Sequence, residues 1–157
     1  MDKIREAVAR AQFDYSVREV AESILKEVKA RDYVSEPIAI FYWICRHVRY
    51  TRDPRTVELV RDPIVICKQI LAGQKPALDC DDMTALICAL CMTIGSQCRI
   101  VTVAFSDLKF KGQRQYEHVF AQAQDPQSQA WITLDPVAGK KTKEMLSRIY
   151  AAKVWQL

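Results

Sequence analysis

Apolar residues recur at helical spacing along the first half of the chain. Val17, Val20, Ile24 and Val28 lie three or four residues apart with charged residues between them. This pattern is typical of an amphipathic helix that packs one face on a core. Pro37 suits a first helical turn and opens a second apolar stretch. This half is predicted to contain helices at about residues 16–30, 36–50 and 64–71, with turns at the Asp-Pro steps of residues 53–54 and 62–63.

The stretch LDCDDMTALICALCMTIG, residues 78–95, is apolar on every side of a helical wheel once its acidic start is passed. A helix of this kind is predicted to be buried all round, over about residues 83–94. Gly95 suits a left-handed C-cap, and Cys80 would lie at the N-terminus. Three aspartates surround that start, where the positive end of the helix dipole favours carboxylates. They are Asp79, Asp81 and Asp82.

The periodicity changes in the second half of the chain, where β-branched and aromatic residues accumulate. Strands are predicted at residues 99–105, 116–123 and 130–135. A last helix is predicted over residues 142–152. Helices, then a buried helix, then antiparallel strands indicate the α+β class, with helices packed on an antiparallel sheet.

Composition and charge limit the number of domains, the possible ligands and the cellular location. A chain of 157 residues, half of them apolar, suits one domain with its own core. The net charge of +4 is mild and the basic residues are scattered, so we expect no nucleic acid as main ligand. The chain contains no run of 18 apolar residues, so no membrane span is predicted. Six cysteines without a secretory signal predict free thiols and a cytoplasmic location. Core packing is predicted for Cys88, Cys91 and Cys98, which lack zinc-like partners.

Candidate chemistry centres on Cys80, the one cysteine in polar surroundings. A helix N-terminus lowers the pKa of a thiol, but the adjacent aspartates raise it, so a cationic partner is needed. His118 lies on a predicted strand. If that strand forms a hairpin centred between Pro126 and Gln127, His118 lies directly opposite Asp135. An imidazole held by a carboxylate is suited to act as a general base.

Four stretches of the chain resemble the transglutaminase-like superfamily, which is related in fold to papain-like cysteine proteases. They are FYWICRHVRYTRD, LDCDDMTALICALCMTIGSQCRIVTVAF, YEHVFAQA and WITLDPVAG. The resemblance covers about residues 37–139 and is strongest to compact members found in bacteria and in phage or prophage genomes. It implies one domain, with an N-terminal helical segment (1–35), a family core (36–139) and a C-terminal helix (140–157).

The resemblance implies a cofactor-free thiol hydrolase or acyltransferase that acts on an amide bond of a peptide or protein. Cys80 would be the nucleophile, His118 the general base and acid, and Asp135 the orienting carboxylate, with an acyl-enzyme as intermediate. The backbone N–H of Cys80 would be one donor to the oxyanion. Gln74 and Trp43 are further candidates for oxyanion or substrate contacts.

Alternatives remain open from the sequence. Asp81 and Asp82 are either helix-start carboxylates or groups that bind an arginine or a basic substrate. Family members often carry Gly where this chain has Leu78, and a β-carbon there would affect the approach of a substrate. A second hypothesis is therefore a catalytically degenerate module with a structural or assembly role, as in a phage particle. A third is a metal site built from Cys80, His118 and these aspartates.

Overall fold

The structure, a computed structural model, describes residues 1–52 and 59–157. Its helices are α1 (Asp2–Ala11), α2 (Tyr15–Leu25), α3 (Ser35–His47), α4 (Pro63–Leu71), α5 (Cys80–Thr93) and α6 (Thr142–Ser147), the last preceded by a 3-10 turn at Gly139–Lys141. Its strands are β1 (Arg49–Tyr50), β2 (Ala77–Leu78), β3 (Cys98–Ala104), β4 (Lys109–Phe110), β5 (Gln113–Arg114), β6 (His118–Gln124), β7 (Trp131–Leu134) and β8 (Ala151–Gln156). The turn predicted at residues 53–54 lies outside the described residues. In the described part of the chain, no helix has both the length and the apolar character to cross a membrane.

Four strands form the main sheet in the order β7-β6-β3-β8, and every neighbouring pair is antiparallel. The long strands β3 and β6 pair from Cys98 opposite Ala123 to Val103 opposite His118. His118 therefore lies at the beginning of β6, at one end of the sheet. Two short ladders accompany the sheet: β1 pairs with β2 in parallel, and β4 pairs with β5 antiparallel.

α5 lies at the centre of the fold, and its residues from Asp82 to Cys91 are all buried. It contacts β3 and β6 of the sheet as well as α1, α2, α3 and α4. Because a helix that is apolar on every side must be enclosed, this burial confirms the sequence-based expectation. Gly95, with a φ of 89°, ends the helix in the predicted left-handed C-cap. The chain has the predicted α+β fold, with helices packed on an antiparallel sheet.

Two of the predicted helices end early. α2 stops at Leu25 rather than near residue 30, because the backbone N–H of Val28 bonds to the Leu25 carbonyl in a turn. Arg31 then adopts a positive φ of 65°, which no α-helix continues through. α3 stops at His47 because the chain extends into β1, where it pairs with β2.

The C-terminal segment is not a single helix, so the helices predicted over residues 142–152 and 140–157 are wrong beyond Ser147. After α6 the chain forms β8, which pairs with β3 from Arg99 to Ala104. Without this strand β3 would leave an open edge of unpaired backbone groups. The indole N–H of Trp155 also donates to the hydroxyl of Thr102 at 3.1 Å. Pairing across the sheet therefore overrides the local helical pattern.

Candidate active site

Cys80 is the first residue of α5, and the chain reaches it directly from β2. Asp79 is the N-cap, and its carboxylate accepts a hydrogen bond from the backbone N–H of Asp82 at 3.0 Å. One turn further on, the Thr84 hydroxyl donates to the Val119 carbonyl at 3.3 Å. These contacts hold the thiol against the end of the sheet where β6 begins.

His118 is held by a carboxylate from the turn that follows β7. Its Nε2 lies 2.7 Å from Oδ2 of Asp135, whose side chain is 1% exposed. Because an ionised carboxylate only accepts, this hydrogen bond assigns the proton to Nε2 and leaves Nδ1 to exchange a proton with another group. The backbone N–H groups of Val137 and Ala138 donate to Asp135 Oδ1 at 3.0 and 3.1 Å. Three donors therefore fix the orientation of the carboxylate.

β6 and β7 do not pair in the register that the sequence predicts. Gln124 faces Trp131, whereas the predicted hairpin puts it opposite Gln129. The loop is longer because the Asp125 carboxylate accepts hydrogen bonds from two following backbone N–H groups. A shift of two residues leaves every side chain on its predicted face. His118 therefore reaches its carboxylate partner diagonally across the strands and not from the directly opposite position.

The surroundings of Cys80 disfavour its thiolate. Burial raises the pKa of the thiol to about 12, and the charges of Asp81 and Asp79 add to the effect. The backbone N–H groups of Val119 and of Cys80 itself lower the pKa without offsetting the increase. The thiol also donates to Asp81 Oδ1 at 3.7 Å. A neighbouring base must therefore take the proton before the sulfur becomes a nucleophile.

Two cavities flank the Cys80–His118 pair, with volumes of about 710 and 660 Å³. Both are lined by Cys80, His118, Asp79 and Glu117. The larger one, here called the α6 cavity, is also lined by Tyr50, Phe105, Lys141, Glu144, Met145 and Arg148, among others. The smaller one, the α1 cavity, is also lined by residues 1–4, Asp81 and Tyr116, among others. Each is large enough for several side chains of a bound peptide.

Comparison with known proteins decides the family. The family model of the Transglutaminase-like superfamily matches residues 18–136. The chain belongs to this superfamily. The match begins within α2, so it includes a helix that the sequence-based division placed before the family core, and it ends one residue after Asp135.

Solved structures that resemble this transglutaminase-like chain are distant in sequence. A protein described as a "Putative Cysteine Protease" from Cytophaga hutchinsonii matches with a TM-score of 0.57 and 16% identity, over 96% of this chain and 51% of that one. At that identity the likeness shows the fold alone. Rad4-Rad23 bound to a 6-4 photoproduct lesion matches with a TM-score of 0.37 and 12% identity, over 99% of this chain and 36% of that one. The chain thus spans about half the length of the first protein. No curated protein matches it.

The two aspartates that follow Cys80 in α5 have different surroundings. Asp82 is buried, and its Oδ1 accepts the backbone N–H of Arg61 at 2.7 Å. Burial raises the pKa of Asp82 to about 6. The Arg61 guanidinium also donates to the Ala77 carbonyl at 2.8 Å. Because Asp82 accepts the backbone N–H of Arg61, it holds the chain at Arg61 against α5. Asp81 instead lines the α1 cavity beside the thiol.

Gln74 and Trp43, the further candidates for oxyanion or substrate contacts, line neither cavity. Gln74 is exposed in the turn after α4, where its backbone N–H bonds to the Gln69 carbonyl. Trp43 stacks on His47 with ring centroids 4.4 Å apart. Leu78, expected to affect the approach of a substrate, is buried in the core and lines neither cavity.

Sequence reasoning missed the part of the site that follows Asp135. Ala138, Lys141, Met145 and Arg148 line the α6 cavity and recur at spacings of three and four residues. This helical spacing is visible in the sequence. It points to the cleft only once β8 is known to pair with β3, because that pairing returns the chain across the sheet and places α6 beside the thiol.

The third hypothesis from the sequence, a metal site, requires several ligand side chains close together. In residues 1–52 and 59–157, no group of three or more His, Cys, Asp or Glu side chains is arranged to hold a metal ion. Three other thiols are buried in the core, namely those of Cys88 and Cys91 in α5 and of Cys98 in β3.

Proposed function

We propose that this protein is a thiol-dependent hydrolase or acyltransferase that acts on amide bonds of a peptide or protein through Cys80, His118 and Asp135. The observation that carries the proposal is the 2.7 Å hydrogen bond between His118 Nε2 and Asp135 Oδ2, at cavities that both His118 and Cys80 line. Membership of the transglutaminase-like superfamily supports thiol chemistry at this position.

In the proposed reaction, the S–H proton of Cys80 moves to His118 Nδ1 and the sulfur attacks the amide carbonyl carbon. The carbonyl oxygen becomes an oxyanion, and the backbone N–H of Cys80, in the first turn of α5, is the proposed donor to it. His118 then protonates the leaving amine, and a thioester remains on Cys80. Water or a second amine attacks the thioester while His118 accepts its proton and returns one to the sulfur. Asp135 keeps the Nε2 proton in place throughout.

The environment of the thiol favours a second candidate function. Burial and the charges of Asp81 and Asp79 raise the pKa of Cys80 to about 12, so at pH 7 the thiol stays protonated unless a base such as His118 takes its proton. A chain in which His118 gives no such help would be a catalytically degenerate transglutaminase-like module with a structural or assembly role, as in a phage particle. The state of the thiol separates the two functions.

The test is the rate of iodoacetamide alkylation at each cysteine, followed by mass spectrometry between pH 5 and 10. Cys45 is exposed and lines neither cavity, so it serves as the internal reference. Burial and the charge of Asp135 raise the pKa of its thiol, so its pH profile is recorded in every variant. We expect Cys80 to react faster than Cys45 at pH 7, and His118→Ala to abolish the excess. Detection of a peptide thioester on Cys80 after incubation with peptide mixtures would then identify the acyl donor.

The matched control is His47→Ala, which removes the other histidine. Its Nδ1 lies 2.8 Å from the Trp43 carbonyl and it lines neither cavity, so this variant is expected to leave the Cys80 rate unchanged. A Cys80 rate that is slow and indifferent to His118 would overturn the proposal in favour of the degenerate module.

The setting of this activity is part of the same proposal. We place it in the cytoplasm of a bacterial or phage-infected cell, with a peptide or protein substrate and no cofactor. The free state of all six cysteines is compatible with that compartment. We also propose that residues 1–157 act as one domain, since α5 contacts helices from the N-terminal segment as well as the sheet.

A further inference from the structure

One wall of the α6 cavity is a single helical face. Ala138, Lys141, Met145 and Arg148 line the cavity at spacings of three, four and three residues, so they lie on the same side of the 3-10 turn and α6. The wall is anchored to the sheet, because Met145 and Ile149 pack against a buried apolar cluster on the sheet's outer face. Residues of this wall therefore have fixed positions relative to the candidate nucleophile.

Charge is distributed unequally between the two cavities. Apart from the residues that both share, the α6 cavity has three cationic side chains and one carboxylate, namely Arg52, Lys141, Arg148 and Glu144. The α1 cavity has one cationic side chain and two carboxylates, namely Lys3, Asp2 and Asp81. When the shared carboxylates of Asp79 and Glu117 are counted, the α6 cavity has three cationic side chains and three carboxylates, whereas the α1 cavity has one cationic side chain and four carboxylates. An anion in the cleft therefore meets less negative charge in the α6 cavity.

The shared carboxylates are already hydrogen-bonded to backbone groups. Glu117 accepts the backbone N–H of Phe105 at 2.9 Å, and Asp79 caps α5. By contrast, neither Lys141 nor Arg148 forms an ion pair within the described part of the chain. The guanidinium of Arg148 lies 5.8 Å from the centre of the Phe105 ring. These two cations are therefore available to a ligand in the cavity.

We propose that the α6 cavity is a subsite for a carboxylate of the substrate, bound by Lys141 and Arg148 beside the Cys80 thiol. The two cations are seven residues apart, about 10 Å along a helix, so a side chain or chain end can enter between them. The wall lies beyond residues 18–136, which match the family model, so it is a feature of this chain outside the matched core. That the bound carboxylate belongs to a substrate rests on the proposed function. The test below does not rest on it, because the reagents alkylate the thiol without turnover.

The test uses bromoacetyl dipeptides, which alkylate a thiol and need no turnover. To test for binding of a side-chain carboxylate, bromoacetyl-Gly-Asp-amide is compared with its neutral isostere, bromoacetyl-Gly-Asn-amide. Bromoacetyl-Gly-Gly with a free C-terminus is compared with its amide for a terminal carboxylate. Each rate at Cys80 is measured by mass spectrometry. Both members of a pair meet the same thiolate fraction, so their ratio is independent of the pKa of Cys80.

We expect the anionic reagent to react about three to ten times faster in at least one pair, because each exposed cation contributes a factor of about 1.5 to 5. Lys141→Gln combined with Arg148→Gln should reduce that ratio to the value for N-acetylcysteine amide, a free thiol without other charged groups that serves as the reference. The matched control combines Lys140→Gln and Lys143→Gln, which remove two exposed lysines that do not line the cavity. A high ratio in the aspartate pair alone assigns a side-chain carboxylate, and one in the glycine pair alone assigns a chain terminus.

The proposal is overturned if both ratios in the wild type equal those for the uncharged reference thiol N-acetylcysteine amide, or if the control pair of substitutions lowers them equally. If the Lys141 and Arg148 variant fails to fold, the wild type still decides, because the ratio must fall between 0.05 and about 0.5 M salt as the charges are screened. The ratio should persist in His118→Ala. The subsite can therefore be supported where the proposed catalysis fails, and refuted where the catalysis holds.

Discussion

Replacing Asp81 with asparagine is expected to make Cys80 more reactive. Asp81 Oδ1 lies 3.7 Å from the sulfur. Two unit charges at that distance interact by about 1 kcal/mol in water and about 4.5 kcal/mol at an effective dielectric constant of 20. Cys80 is partly exposed, so the lower part of this range applies. Because about 1.4 kcal/mol corresponds to one pKa unit, we expect the pKa of Cys80 to fall by about one unit and alkylation at pH 7 to become roughly tenfold faster.

The assay is again alkylation of each cysteine by iodoacetamide, with the pH profile fitted for Cys80. Asp81→Glu keeps the negative charge and is the matched control, and Asp107→Asn removes a carboxylate that lines neither cavity. Loss of a carboxylate from the first turn of α5 should reduce the free energy of unfolding by only about 0.3–1 kcal/mol. An unchanged or slower Cys80 rate in Asp81→Asn, or an equal gain in Asp107→Asn, would refute the electrostatic argument.

Three further substitutions test other parts of the site. Asp135→Asn presents an amide to His118 Nε2 and should slow Cys80 alkylation and amide turnover by roughly 10²-fold or more; an undiminished rate would exclude the orienting role. Asp82 has a folded-state pKa of about 6, above its unfolded value, so the folded state binds more protons and stability falls as the pH rises from about 4 to about 6. Asp82→Asn keeps an acceptor for the Arg61 N–H, and its thermal unfolding temperature should not fall over this pH range. Parallel curves of unfolding temperature against pH for wild type and variant would contradict the pKa assigned to Asp82. Leu78→Ala should lower the free energy of unfolding in urea by about 2–5 kcal/mol without speeding Cys80 alkylation, and faster alkylation would mean that Leu78 obstructs the cleft.

The sequence predicts elements well where one local signal decides the structure. The segment from Asp79 to Gly95 carries an acidic start, an apolar interior and a C-cap glycine, and the structure has each of them where expected. The side-chain period of two also places His118 and Asp135 on one face of the sheet. That parity survives the error in register, because the observed pairing differs by two residues and not by one.

Other features depend on interactions that no short stretch contains. The hairpin loop is extended by side-chain hydrogen bonds of Asp125, and counting residues between two strands does not reveal them. β8 forms because it pairs with the edge of β3, which lies more than 40 residues earlier in the chain. The position of α6 follows from that partner, and with it the basic wall of the cleft. The placement of Gln74 and Trp43 likewise depends on how α3 and α4 pack against the rest of the fold.

The way α6 is attached has a consequence for protein engineering. The short helix lies between β7 and β8, and both strands belong to the sheet that carries His118. Its two ends are therefore fixed by backbone pairing, while its cleft-facing side chains take no part in holding His118 and Asp135 together. Lys141, Glu144 and Arg148, which are exposed and line the cleft, can therefore be replaced to redirect selectivity without rebuilding the reactive groups, provided that Met145 is kept to hold α6 on the sheet.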